Sequence, residues 1–277
     1  MAWRIATAPL LGLAVAVTAA VLVGQALFGP AAVGGVQSPF DRFPGPATGY
    51  GPARSVPGAP DPQTALVKFV GFVFEDVQRS WQRDFEKVGA PYQPAELVIF
   101  RQAVSSGCGP ASAETGPFYC PADQRVYLDL NFFAELALRF QAPGDFAQAY
   151  VIAHEVAHHV QTLTGVTQEV QLASAQRPEL TNALSIRQEL QADCLAGVWA
   201  HSTYERGLLE SGDLEEGLAA AAAVGDDRIQ AETTGRIDPE TWTHGSSEDR
   251  VRWFRRGFEE GDATACDTFD GDVDVDV

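Results

Sequence analysis

The sequence predicts an α+β fold, mostly helical with a small β-sheet and preceded by a single N-terminal transmembrane helix. Three observations carry that prediction. Segments with apolar residues at three- and four-residue steps outnumber the short alternating runs. The two kinds do not alternate regularly along the chain, as they would in an α/β protein. The N-terminus also holds a long segment without charge.

That first segment, Ile5 to Phe28, is 24 residues long. A helix crosses a bilayer with about 20 apolar residues. Arg4 and the α-amino group are its only flanking positive charges, and both precede it. The positive-inside rule therefore leaves the N-terminus in the cytoplasm and everything after Phe28 outside. A cleaved signal peptide is the alternative, with Ala19 and Ala20 as a small-residue cleavage site, although the apolar run continues past them. Both readings export the remaining chain, as a single-pass cell-membrane protein or as a secreted one.

Residues 29–61 follow as a linker, with seven prolines from Pro30 to Pro60 and many glycines. This composition neither buries apolar area nor propagates a helix. A folded domain is expected over residues 62–270, and an acidic tail over 271–277. Within the domain, Pro62 to Val88 reads as an amphipathic helix through Leu66, Phe69, Val70, Val73, Phe74, Val77, Trp81 and Phe85. Leu97 to Phe100 reads as a short strand, followed by a Gly/Ser-rich stretch carrying Cys108. Arg125 to Leu130 alternates as a second or third strand. Helices are expected over Asn131–Arg139 and from Asp145 to about Leu163. Asp145 and Gln148 form a capping-box pattern at the start of the latter, and Gly165 stands just past its end. Further helices run from near Pro178 towards Leu209, from Asp213 to Val224, and from a Ser246 cap with Asp249 to about Phe258. Trp199 and Trp253 are expected in the core.

The chain has 277 residues, with 19 Lys and Arg against 37 Asp and Glu, a net charge of −18. Negative surface repels phosphate backbones and anionic headgroups, so nucleic acid is excluded as a main partner. Asp262 to Val277 carries six aspartates and no positive residue, and reads as a solvated tail.

The chemistry concentrates in His154-Glu155-Val156-Ala157-His158. Two histidines four apart share one helix face, so both imidazoles reach one Zn²⁺. Glu155 lies about 100° round the helix from His154. It flanks the metal without binding it, where a general base for a zinc-bound water belongs. A catalytic zinc needs a third protein ligand. Glu189 supplies it, four residues before Asp193 on a second helix. Asp193 can accept the free ring N–H of one ligand histidine, and Gln188 that of the other through its amide oxygen. His159 points off the metal face, towards a supporting contact or solvent, and His201 falls outside the site. His244, in Thr243-His244-Gly245-Ser246-Ser247, is the leading donor for a substrate oxyanion. Tyr119, Tyr127 and Tyr204 are weaker candidates. Gly116–Tyr119 or Arg125–Leu128 is the expected sheet edge for an extended substrate.

Four cysteines permit three connectivities. Cys108 and Cys120 enclose a Gly/Pro/Ser-rich loop that a bridge would rigidify. Cys194 with Cys266 would tie the C-terminal segment to the helix of Glu189. That is the expected pairing.

The two motif helices resemble the gluzincin arrangement of thermolysin-like peptidases: His-Glu-x-x-His, then a Glu ligand followed four residues later by Asp. The wider chain is similar to the bacterial putative neutral zinc metallopeptidase family. The similarity runs through Ser106–Gly109, Gly116–Pro121, Val126–Leu130, Ala153–Gln161, Arg187–Cys194, Thr243–Ser247 and Arg250–Phe254. It implies a zincin-like domain, one zinc per chain and a peptide or protein substrate. Two other functions fit the same residues: a zinc-stabilised scaffold that binds envelope partners without catalysis, and a zinc hydrolase of cell-wall peptides.

Overall fold

The computed structural model describes residues 62–112 and 115–269. The expected anchor at 1–28, linker at 29–61 and tail at 271–277 lie outside the described residues. Among the described residues no helix is long and apolar enough to cross a membrane.

The architecture is α+β, mostly helical with a small sheet. Helix α1 (Pro62–Lys87) comes first, then strands β1 (Glu96–Phe100), β2 (Ala103–Ser106), β3 (Gly109–Ser112), β4 (Phe118–Cys120) and β5 (Arg125–Asp129). The helices α2 (Asn131–Leu138), α3 (Asp145–Thr164), α4 (Val166–Gln176), α5 (Thr181–Glu205), α6 (Asp213–Ala223), α7 (Asp226–Thr234) and α8 (Ser247–Glu260) follow. Strand β1 pairs parallel with β5, and β4 pairs antiparallel with β5, giving the order β1-β5-β4. The segment Arg125–Leu128 is therefore central and offers no free edge. Of the two expected docking edges, only the one on β4 is an edge.

Strand β5 is buried on both faces. Val126 and Leu128 join the main core, whereas Tyr127 packs with Phe100 and Cys120 on the other side. That alternation follows from the two-residue period of a strand. The Gly/Ser-rich stretch around Cys108, for which no element was expected, forms the β2–β3 hairpin. A disulfide joins Cys108 in its turn to Cys120 on β4.

The main core gathers around α3, which is buried on almost every side. Its start departs from the expected capping box. Gly144 holds the N-cap position and no side chain of the helix caps it. A remote carboxylate does so instead: Glu216 on α6 accepts from the Phe146 N–H at 3.1 Å. The cap of α8 is as expected, with Ser246 Oγ accepting from the Asp249 N–H at 3.0 Å. Helices α5 and α8 cross at close range. A Cβ at Gly197 would overlap the Phe254 carbonyl, and one at Gly257 would overlap the Cys194 carbonyl. The two glycines let the backbones touch.

Trp199 and Trp253 are buried, as expected. Trp199 stacks on Phe146 and donates to Asp76 Oδ2 at 3.0 Å. The stretch from Asp262 is not simply solvated. Cys266 and Thr268 are buried, and a second disulfide joins Cys266 to Cys194 on α5. Both expected cysteine pairs are thus formed.

Candidate metal centre

Helices α3 and α5 bring His154, His158 and Glu189 together. His154 Nε2 lies 3.2 Å from His158 Nε2 and 3.1 Å from Glu189 Oε2. His158 Nε2 lies 3.3 Å from Glu189 Oε1. Two ligand atoms each about 2.0–2.1 Å from a tetrahedral zinc stand about 3.3–3.4 Å apart, so these separations fit one ion. The donor chemistry fits as well. Two imidazole nitrogens and a carboxylate facing one point, away from bulk water, call for a shared cation, a proton or a metal ion, to offset the buried charge. Burial alone would lower the pKa of His154, but hydrogen bonds and charges from Asp193 and Glu189 override it and push the ring up to about 10. Burial would likewise raise Glu189, yet the two histidines hold it well below the usual carboxylate range. The pocket selects positive charge.

Each ligand histidine is held from behind, by partners of different kinds. His154 Nδ1 lies 2.9 Å from Asp193 Oδ1. Asp193 is fully buried and also accepts from Arg250, at 2.8 Å through Nε and 3.0 Å through Nη2. Tyr150 donates to the same carboxylate. Burial would raise Asp193, but Arg250 first, and then His154, hold it ionised below its ordinary value. His158 Nδ1 instead faces Gln161 Oε1 at 2.8 Å. The support expected from Gln188 is not made; its amide donates to Thr167 Oγ1 at 3.3 Å. The signal for Gln161 was available, because residues three apart share a helix face. Tyr150 stands four residues before His154 on α3, a spacing that marks the same face, whereas Arg250 comes from α8 and no local spacing marks it.

Glu155 is buried beside this cluster without belonging to it. Desolvation raises its pKa, partly offset by the two histidines. The Tyr119 backbone on β4 is also close enough to lower it. The edge strand therefore adjoins the candidate base.

His244 is buried, with Nδ1 2.8 Å from Thr243 Oγ1 and 3.3 Å from Asp226 Oδ1. Asp226 also accepts the backbone N–H groups of Thr243, His244 and Gly245, at 2.7, 2.6 and 3.2 Å. The loop is hooked to α7, and the ring lies within electrostatic range of Glu189. None of the three tyrosines takes that place. The Tyr119 hydroxyl meets His159 Nδ1 at 3.0 Å, and that of Tyr127 donates to Asp123 at 2.7 Å. Tyr204 is exposed against Phe258. His159 is fully buried, which excludes the solvent-facing alternative, and its Nε2 lies 2.6 Å from the Gln93 carbonyl. His201 sits outside the cluster, with Nδ1 2.6 Å from the Phe258 carbonyl.

The sequence matches the putative neutral zinc metallopeptidase family over residues 9–269. It is 50% identical over 203 residues to the uncharacterized protein YpfJ of Escherichia coli (strain K12), covering 73% of this chain and 71% of that protein. It is 49% identical over 189 residues to the uncharacterized protein Rv2575 of Mycobacterium tuberculosis (strain ATCC 25618 / H37Rv), covering 64% of this chain and 63% of that protein. No solved structure matches it.

Proposed function

The chain belongs to the putative neutral zinc metallopeptidase family, and from that premise we propose that it is a membrane-anchored, extracytoplasmic zinc peptidase. His154, His158 and Glu189 hold one zinc, and Glu155 is the general base. The observation that carries this reading is the convergence of two imidazole nitrogens and the Glu189 carboxylate, each pair of groups approaching within 3.3 Å, beside a buried carboxylate that is not a ligand. Three protein ligands leave a position open for water, as catalytic sites require. Zinc bound there supplies Lewis-acid polarisation of the attacking water and the scissile carbonyl.

The chain's own residues do the rest. Glu155 takes the water's proton and passes it to the leaving amine. Its burial favours that cycle, because a desolvated carboxylate is a stronger base. His244 supports the oxyanion through Nε2, its Nδ1 side being engaged by Asp226 and Thr243. An extended substrate adds to the edge of β4, next to Glu155. The uncharged segment Ile5–Phe28 is the proposed anchor, and both disulfides suit an oxidising compartment. An idle scaffold would leave the buried Glu155 without a role.

Proteolysis by the full-length chain tests this. Activity should be lost to a zinc chelator and restored by zinc. It should fall by at least about 10³-fold in Glu155→Gln, with zinc retained. Full activity in that variant would remove the catalytic assignment.

A further inference from the structure

We infer that Gln161, Gln191 and the main-chain carbonyl of Cys266 form a one-way hydrogen-bond relay that positions His158 for the metal. The inference rests on the zinc reading above and extends it to residues outside the ligand motifs.

The polarity of the chain follows from its ends. A metal takes the Nε2 lone pair of His158, which places the ring proton on Nδ1. That N–H donates to Gln161 Oε1 at 2.8 Å. The Gln161 amide nitrogen then has two hydrogens and two acceptors. These are the Gln188 carbonyl at 2.7 Å and Gln191 Oε1 at 3.0 Å. With its oxygen so engaged, Gln191 turns Nε2 to the Cys266 carbonyl, 3.1 Å away. Carbonyls can only accept, so both exits are fixed. Flipping either amide would set acceptor against acceptor.

Gln161 is 0% exposed and Gln191 8% exposed, so solvent offers little relief for a mismatch. The terminal carbonyl is itself anchored. Cys266 is bonded to Cys194, the residue after Asp193. Nearby, Arg187 Nη1 donates to the Thr268 carbonyl at 2.8 Å, and Thr268 Oγ1 donates to the Arg187 carbonyl at 2.6 Å. His154 thus leans on a charged pair, Asp193 and Arg250, while His158 leans on neutral amides. The disulfide brings the C-terminal segment to the back of both.

Zinc release from the full-length chain to excess chromogenic chelator tests the relay. Gln161→Met keeps the volume and removes the polar atoms, and it should release zinc about 10–100-fold faster. Gln191→Met, which does not touch His158, should also release it several-fold faster. The double variant should be no faster than Gln161→Met alone, because the two act in series. Gln188→Met should match wild type, since its side chain bonds Thr167 and no ligand. Should Gln161→Met fail to fold, Gln191→Met carries the test. A wild-type rate in Gln191→Met, with zinc held normally by the wild-type chain, overturns the relay alone. A wild-type chain that holds no zinc removes the metal reading and the relay with it.

Discussion

Arg250 is 2% exposed and lies among three acidic or hydroxyl partners, with Glu189 Oε2 4.0 Å from its Nη2. Its charge permits the fully buried Asp193 to remain ionised behind His154. Arg250→Leu removes the guanidinium countercharge from that buried carboxylate, a loss of about 3–5 kcal/mol in denaturant unfolding. A change under about 1 kcal/mol would show that Asp193 needs no countercharge. Glu189→Ala should lower zinc content at limiting metal, and unchanged content would remove its assignment as a ligand. The residues of the metal cluster were legible because a helix places i and i+4 on one face, so two short motifs predict their own convergence. Gln188 was misplaced because adjacency to a ligand in sequence means about 100° of rotation away from it. Arg250 and Tyr150 meet Asp193 across helices, and their pairing is written in tertiary packing.

The helix crossing of α5 on α8 presents the ligand helix to the buried arginine, and its closeness depends on Gly197 and Gly257. Gly257→Ala forces a methyl into the Cys194 carbonyl and should cost about 1–3 kcal/mol in denaturant unfolding. Wild-type stability would mean the crossing can open. Helix α1 is tied to the far end of α5 through Asp76, which accepts from Arg206 Nη2 at 2.7 Å and from Trp199. Burial would raise Asp76, but Arg206 and Trp199 hold it below its ordinary value. A depressed carboxylate contributes stability above its unfolded pKa and loses it as pH falls through the folded one. The stability gap between wild type and Asp76→Asn should therefore be constant from about pH 6 upward and close below about pH 4. A gap that persisted in acid would show that packing, not charge, carries it. Long helices with apolar stripes were legible, α1 and α3 above all. Helix α4 was not, because Thr167 is its one buried residue among those described. The β2–β3 hairpin lacks an apolar alternation and is fastened by Cys108–Cys120.

Across the whole molecule, the sign of the charge and its distribution are separate matters. The chain carries −18 overall. Its centre balances within itself: Glu155, Glu189 and Asp193 face Arg250 and, in the proposed state, one divalent ion. Zinc binding only the folded chain should raise the unfolding free energy by about 2.7 kcal/mol at a free concentration 100-fold above Kd, and the unfolding midpoint with it. The most direct test of the central claim is the zinc-edge X-ray absorption spectrum of the full-length protein. The proposed centre predicts a four-coordinate first shell of nitrogen and oxygen alone, with two imidazoles at about 2.0–2.1 Å and one carboxylate. Sulfur scattering at about 2.3 Å, or a spectrum unchanged in Glu189→Ala, would contradict it.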